Sequence, residues 1–342
     1  MEKKIIGISL GDPAGIGPEL LIKGLSSINK IPGAIPLVIG DVSVIEKNFI
    51  YGIPASLNVI KTKNEIIDGY LNIYDEGVIK NKRFPIGKDS PLCGRASFLY
   101  VERAISLYKK KIIDGLVTLP ISKKAWHLAG SRYSGHTELL AERLNCKRYA
   151  MVMVAGNIRV LLATTHIPLK EVSKELSVSL LVDKVITGYE FLKMYGIKTP
   201  VIGISALNPH GGEAGILGKE EDEIIIPAIK VLRQMAIDCK GPLPADVIFK
   251  KAVDGELDMV IAMYHDQGMI PLKTFFFDKL VNCTAGISMV RTSPGHGTAF
   301  DIAYKGKADP RSFIEAYKLA IRLVHPKYSS RWEETNREGQ EI

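Results

Sequence analysis

The feature that most constrains this chain is a repeated alternation. Short, nearly continuous runs of Val, Ile, Leu, Ala and Met are separated by amphipathic stretches. The runs at residues 5–10, 35–39, 115–119, 150–154, 159–164, 201–206, 259–263 and 281–290 read as strands, and residues 96–110, 137–144, 180–193, 220–235 and 311–323 read as helices. A strand that is apolar on both faces must be covered on both faces, the condition met in parallel sheets flanked by helices. Pro18 stands where a helix should start and Gly130 where one should end. The expected class is therefore α/β with a mainly parallel sheet. With 342 residues, the chain has length for two such domains. Ligands of open α/β sheets bind beyond the carboxyl ends of the strands, so residues with chemistry to perform should follow the apolar runs.

Composition narrows the function classes. Hydrophobic residues make up 46% and charged residues 24%, which excludes a disordered or fibrous chain. Lys and Arg number 45 against 37 Asp and Glu, a net charge of +8 that favours anionic partners. A nucleic-acid binder would gather its basic residues on one element and interleave aromatic ones. Here the longest basic cluster is Lys109-Lys110-Lys111 at an expected helix end, and aromatic residues are 7%. No nucleic-acid partner is expected. Cys93, Cys146, Cys239 and Cys283 form no Cys-x-x-Cys pair, which argues against a structural zinc cage and for reduced thiols. Six residues separate Lys4 from Gly11, too few for a signal-peptide core, and no apolar run approaches a membrane span. The expectation is a soluble cytoplasmic protein with no membrane partner.

Three of the seven histidines end strand-like runs in the same way. Residues 161–165 lead into His166, residues 204–209 into His210 and residues 260–264 into His265. Parallel strands feeding one sheet edge would bring the three together. Three neutral imidazoles with an open fourth position suit a catalytic divalent ion such as zinc. The alternative is three unrelated loop histidines that cap strands. Asp266 and Asp246 are carboxylates placed to orient imidazole N–H groups, and Asp246 equally suits the N-cap of a following helix.

Two glycine loops leave their roles open. Residues 11–19 (GDPAGIGPE) follow the first strand and open a helix, the usual place of an anion cradle. Yet Asp12 and Glu19 would repel a phosphate, and a strand-to-helix turn needs glycine for backbone reasons alone. Residues 293–306 (SPGHGTAFDIAYKG) offer close backbone approach to a ligand, or only a flexible loop. Neither is G-x-G-x-x-G, so no Rossmann fingerprint is present. Thr137, in Ser134-Gly135-His136-Thr137-Glu138, reads as an N-cap beside amides that could hold a carboxylate or phosphate. Arg291 could grip an oxyanion with two parallel bonds, or simply face solvent.

Taken together, GDPAGIGPE (11–19), GHTE (135–138), ATTHIPL (163–169), NPHGGE (208–213), GPLPAD (241–246), AMYHDQG (262–268) and the segment 291–309 resemble the 4-hydroxythreonine-4-phosphate dehydrogenases of pyridoxal phosphate biosynthesis. The strings run in family order from residue 5 to about 323. The late loop is also similar to the nucleotide-binding loop of isocitrate and isopropylmalate dehydrogenases. The resemblance implies a two-domain fold of that kind, not a Rossmann fold. The larger, discontinuous domain is expected at 1–130 plus 300–342. The second, carrying most metal and substrate residues, is expected at 131–299, with the active site in the cleft and at a homodimer interface. It implies that His166, His210 and His265 bind a divalent metal (Zn, Mg or Co), with ligands from both subunits, and that His136, Thr137, Lys273, Asn282 and Arg291 contact a small phosphorylated substrate. His296, Gly297, Thr298, Ala299 and Asp301 would bind NAD or NADP, and Asp246 and Asp266 are candidates for the base. Family members usually carry Val-Asp where this chain has Pro294-Gly295, and often Gly where it has Tyr304.

The implied reaction oxidises the 3-hydroxyl of 4-phosphohydroxy-L-threonine to a β-keto acid, which decarboxylates to 3-amino-2-oxopropyl phosphate. The paralogous alternative applies the same metal chemistry to 4-phospho-D-erythronate or 4-phospho-D-threonate.

Overall fold

The computed structural model describes residues 3–52 and 56–325. They fall into two compact units, one of residues 3–146 with Ser288–Val324, the other of Lys147–Ile287. The crossing points therefore differ from the expected 130/131 and 299/300. Residues 288–299 belong with the first unit because the strand they contain is hydrogen-bonded into its sheet. Residues 326–342, assigned from sequence to the larger domain, lie outside the described residues.

The first unit contains β1 (Lys4–Ser9), β2 (Ala34–Gly40), β3 (Leu57–Ile60), β4 (Leu71–Asp75) and β5 (Gly115–Thr118). The second contains β6 (Ala150–Ala155), β7 (Ile158–Leu162), β8 (Val201–Ser205), β9 (Asp238–Leu243), β10 (Met259–Ala262) and β11 (Val281–Ala285), and β12 (Val290–Pro294) returns to the first. Within the first unit the strands run β3-β4-β2-β1-β5-β12 and are parallel throughout. Its central strands are buried along nearly their whole length, as their unbroken apolar runs require. Helix Arg311–Val324 lies against it, and Thr292 on β12 donates its hydroxyl to Ala316 O at 2.8 Å.

Within the second unit the strands run β11-β6-β7-β10-β8-β9. The β11–β6 and β6–β7 pairings are antiparallel, whereas β7, β10, β8 and β9 run parallel. Its core gathers Val160 and Leu162 of β7, Val260 and Ala262 of β10, and Ile248, Ala252, Leu257 and Leu272 from flanking segments. Full burial of each large aliphatic side chain contributes about 1.5–3 kcal/mol.

Several sequence expectations need correction. The single run at 281–290 is two strands, because the chain turns at residues 286–289. β3, β4 and β9 lack an unbroken apolar run and were not anticipated. Thr137 is not an N-cap: helix His136–Arg143 is entered through Gly135, and Thr137 lies inside its first turn. Asp246 is not one either, since Pro244 holds the boundary of helix Ala245–Val253. Cys93, Cys146, Cys239 and Cys283 all lie among the described residues, and none forms a disulfide. Among the described residues no helix is long and apolar enough to cross a membrane.

Candidate active site

The three histidines leave three adjacent parallel strands. His166 follows β7, His265 follows β10 and His210 follows β8, and β10 lies hydrogen-bonded between the other two. Two of them meet. The rings of His166 and His265 lie 5.7 Å apart, centroid to centroid, inclined at 74°. They share a pocket of about 380 Å³ with Thr165, Ile167, Leu169, Val172, Tyr264 and Asp266. Asp266 Oδ1 accepts from His265 Nδ1 at 2.7 Å, which leaves Nε2 for ligation. This carboxylate–imidazole pairing is the usual support of a metal-binding histidine.

His210 stands on a separate exposed turn with left-handed backbone, φ 52°. Glu221, almost fully buried, builds that turn. Its Oε1 accepts the N–H groups of Leu207 and Asn208, both at 2.8 Å, and its Oε2 accepts from the Asn208 amide at 2.9 Å. Among the described residues no group of three or more His, Cys, Asp or Glu side chains is placed to hold a metal ion. The donor chemistry of the His166–His265 pair nevertheless fits a divalent cation, because neutral imidazoles oriented by a carboxylate are its ordinary ligands. Asp246 sits exposed in the first turn of the helix that follows β9. Lys273 is exposed on helix His265–Phe276, and Asn282 is half-buried on β11.

A second cluster forms in the first unit. Arg291 on β12 is buried, and its Nε and Nη2 donate to Thr118 Oγ1 at the end of β5, at 3.0 and 2.7 Å. Its Nη2 lies 3.4 Å from His136 Nδ1. The His136 ring packs edge-on against Trp126 at 5.5 Å. Burial first, and then the charges of Arg291 and Lys123, hold the His136 imidazole well below its ordinary pKa. It is therefore neutral at pH 7. Its Nε2 is buried without a hydrogen-bond partner, a costly state that a ligand's polar atom would relieve. Thr118 and Trp126 carried no motif that sequence reasoning could have found.

The two glycine loops are one structure. Ile16 N donates to Thr298 O at 3.1 Å. Glu19, with no exposed surface, accepts from Gly306 N at 3.3 Å and Ala308 N at 2.8 Å, while Lys23 donates to Gly306 O and Ala308 O. The early glycines answer to backbone geometry: Gly11 has φ 75°, and a Cβ there would lie 2.4 Å from Pro120 O. Tyr304 adopts φ 58° and donates its hydroxyl to Pro13 O at 2.9 Å. In the late loop, His296 is held below its ordinary pKa by burial, Gly297 and Asp301 are exposed, and Ala299 has φ 41°.

Comparison with known proteins gives this arrangement a family. The model for "Pyridoxal phosphate biosynthetic protein PdxA" matches residues 33–320. The chain belongs to the PdxA family. A D-threonate 4-phosphate dehydrogenase of Cupriavidus necator is 42% identical over 324 residues, covering 94% of this chain and 97% of that one. A 4-hydroxythreonine-4-phosphate dehydrogenase of a Sulfurihydrogenibium species is 42% identical over 325 residues, covering 93% and 98%. The crystal structure of a 4-hydroxythreonine-4-phosphate dehydrogenase from Klebsiella pneumoniae matches with a TM-score of 0.86 at 36% identity, over 94% of this chain and 98% of that one. This PdxA-family chain is thus an enzyme of the dehydrogenase type, with the α/β fold expected from its sequence.

Proposed function

We propose that this PdxA-family enzyme oxidises the 3-hydroxyl of 4-hydroxythreonine-4-phosphate with NAD or NADP and a divalent cation. The product is a β-keto acid that loses carbon dioxide to give 3-amino-2-oxopropyl phosphate. The observation that carries the reading is the His166–His265 pair, held in one pocket with Asp266 on His265 Nδ1.

In this reading His166, His210 and His265 hold the cation, with ligands drawn from two copies of the chain in a homodimer. When bound, the cation supplies Lewis acidity and the nicotinamide supplies a hydride acceptor. The protein's own groups do the rest. Arg291 and Lys273 hold the anionic groups of the substrate and orient its reacting carbon. Neutral His136, with Nε2 unsatisfied, offers a hydrogen bond to substrate without adding charge. Thr137 and Asn282 complete the substrate contacts. Asp266 or Asp246 takes the hydroxyl proton directly or through a relay. Residues 296–301 receive the dinucleotide.

A second substrate has equal support from identity. Relatives named for D-threonate 4-phosphate and for 4-hydroxythreonine-4-phosphate both reach 42%. These substrates differ at the 2-position, amino against hydroxyl.

The test is NADH formation by metal-reconstituted enzyme on 4-hydroxythreonine-4-phosphate, 4-phospho-D-threonate and 4-phospho-D-erythronate, with a chelator control. Chelator-sensitive turnover greatest on the first supports the proposal. Greater turnover on either other keeps the chemistry and moves the substrate. Turnover that survives chelation, or a His265→Ala variant with normal metal content and rate, overturns the metal reading.

A further inference from the structure

We infer that Gln267 is a positioning residue that fixes two of the three histidine turns relative to each other, and that divalent-cation affinity depends on it. The inference rests on the reading of His166, His210 and His265 as cation ligands.

The hydrogen-bonded ladders stop short of the histidines. The β10–β7 register ends at Ala262 opposite Leu162, and the β10–β8 register ends at Ile261 opposite Ile204. Beyond those points two backbone bonds still join β7 to β10, Ala163 N to Ala262 O at 2.8 Å and Thr164 N to Met263 O at 3.2 Å, and side chains add to them and tie in the exit of β8. Gln267, buried in the first turn of helix His265–Phe276, spends both ends of its amide on backbone. Its Oε1 accepts Met263 N at 2.6 Å, two residues before His265, and its Nε2 donates to Ala206 O at 2.8 Å, four residues before His210. On the other side of β10, Thr164 donates its hydroxyl to Met263 O at 2.7 Å, two residues before His166. One buried chain of bonds therefore crosses the exits of β7, β10 and β8.

Glutamine suits this place because one side chain must both donate and accept. An ionised glutamate could accept from Met263 N but would set a carboxylate oxygen against Ala206 O. A methionine of similar volume would leave both backbone groups buried and unpaired. Ligand turns released in this way shift by fractions of an ångström, which is enough to weaken a metal site. Outer supports of metal ligands are typically worth about 10–100-fold in affinity.

The test is Co²⁺ titration of the full chain, followed by the visible absorption bands of the bound ion and by competition with a chelating indicator, alongside thermal unfolding. Gln267→Met and Gln267→Glu are expected to weaken Co²⁺ binding about 10–100-fold and to alter the band shape. Thr164→Val, which keeps the backbone N–H bond to Met263, is expected to weaken it less. A purely structural role would lower the melting temperature and leave Co²⁺ affinity and spectrum unchanged, and that result overturns the inference. Should Gln267→Met not fold, Thr164→Val decides, and unchanged affinity there overturns it. Wild-type protein that titrates like His265→Ala would instead overturn the cation reading, and this inference with it.

Discussion

The carboxylate of Glu19 accepts the backbone N–H of Ala308, a partner 289 residues away in sequence. The same carboxylate accepts from Gly306 and pairs with Lys23 at 2.8 Å. An acidic residue that looks hostile to a phosphate is therefore the clamp of the late loop.

Replacing Glu19 with Ala strands two backbone donors and removes the counter-charge of Lys23, which keeps its bonds to Gly306 O and Ala308 O. The expected loss is about 2–4 kcal/mol of unfolding free energy, measured by denaturant titration, with a smaller loss for Glu19→Gln. A Glu19→Ala variant of wild-type stability would show that the clamp carries no weight.

Arg291→Lys keeps the charge but loses the two-pronged hold on Thr118. If Arg291 grips a substrate oxyanion, KM should rise about 10–100-fold with a lesser effect on kcat, as steady-state kinetics would show. An unchanged KM removes Arg291 from substrate binding.

Asp12 titrates out of place. Burial, reinforced by Asp89, raises its carboxyl from 3.8 to about 6. The folded state holds this proton more tightly than the unfolded state. Its stabilising contribution is complete below about pH 3.8 and is lost as pH rises through about 6. Asp12→Asn should therefore gain on the order of 1–3 kcal/mol relative to wild type on going from pH 4 to pH 8. Unfolding free energies at the two pH values test this, and equal differences at both would refute it.

Gly94 lies in helix Pro91–Lys109, where alanine ordinarily stabilises. Here a Cβ would lie 2.0 Å from the backbone oxygen of Ala125 in helix Lys123–Leu128. Gly94→Ala should cost about 2 kcal/mol or more, seen as a lower melting temperature. A higher one would mean that the two helices separate freely.

Much of the scaffold was legible because its strands are buried on both faces. β1, β2, β5, β7, β8 and β10 announce themselves as apolar runs, and the positions of His166, His210 and His265 follow from where those runs end. β3 and β4 carry Asn58 and Asn72 within short pairings, and β9 contains Gly241-Pro242, so none has the periodicity of a buried strand. The caps at Thr137 and Asp246 misled because residue type suggested a cap two positions beyond where the backbone turns. Glu19, Glu221 and Gln267 were silent for a different reason. Each works on backbone atoms supplied by another element, and backbone partners leave no trace in the pattern of side chains.

The return of β12 to β5 sets an order of events during synthesis. The parallel sheet of the first unit stays one strand short until residues 290–294 have been made. By then all of residues 147–287 have been made, a continuous stretch that holds every strand of its own unit. The segment in the middle of the chain can thus reach its native pairing before the segment that begins it. The exposed flank of β5 is the nascent chain's vulnerable edge in the meantime.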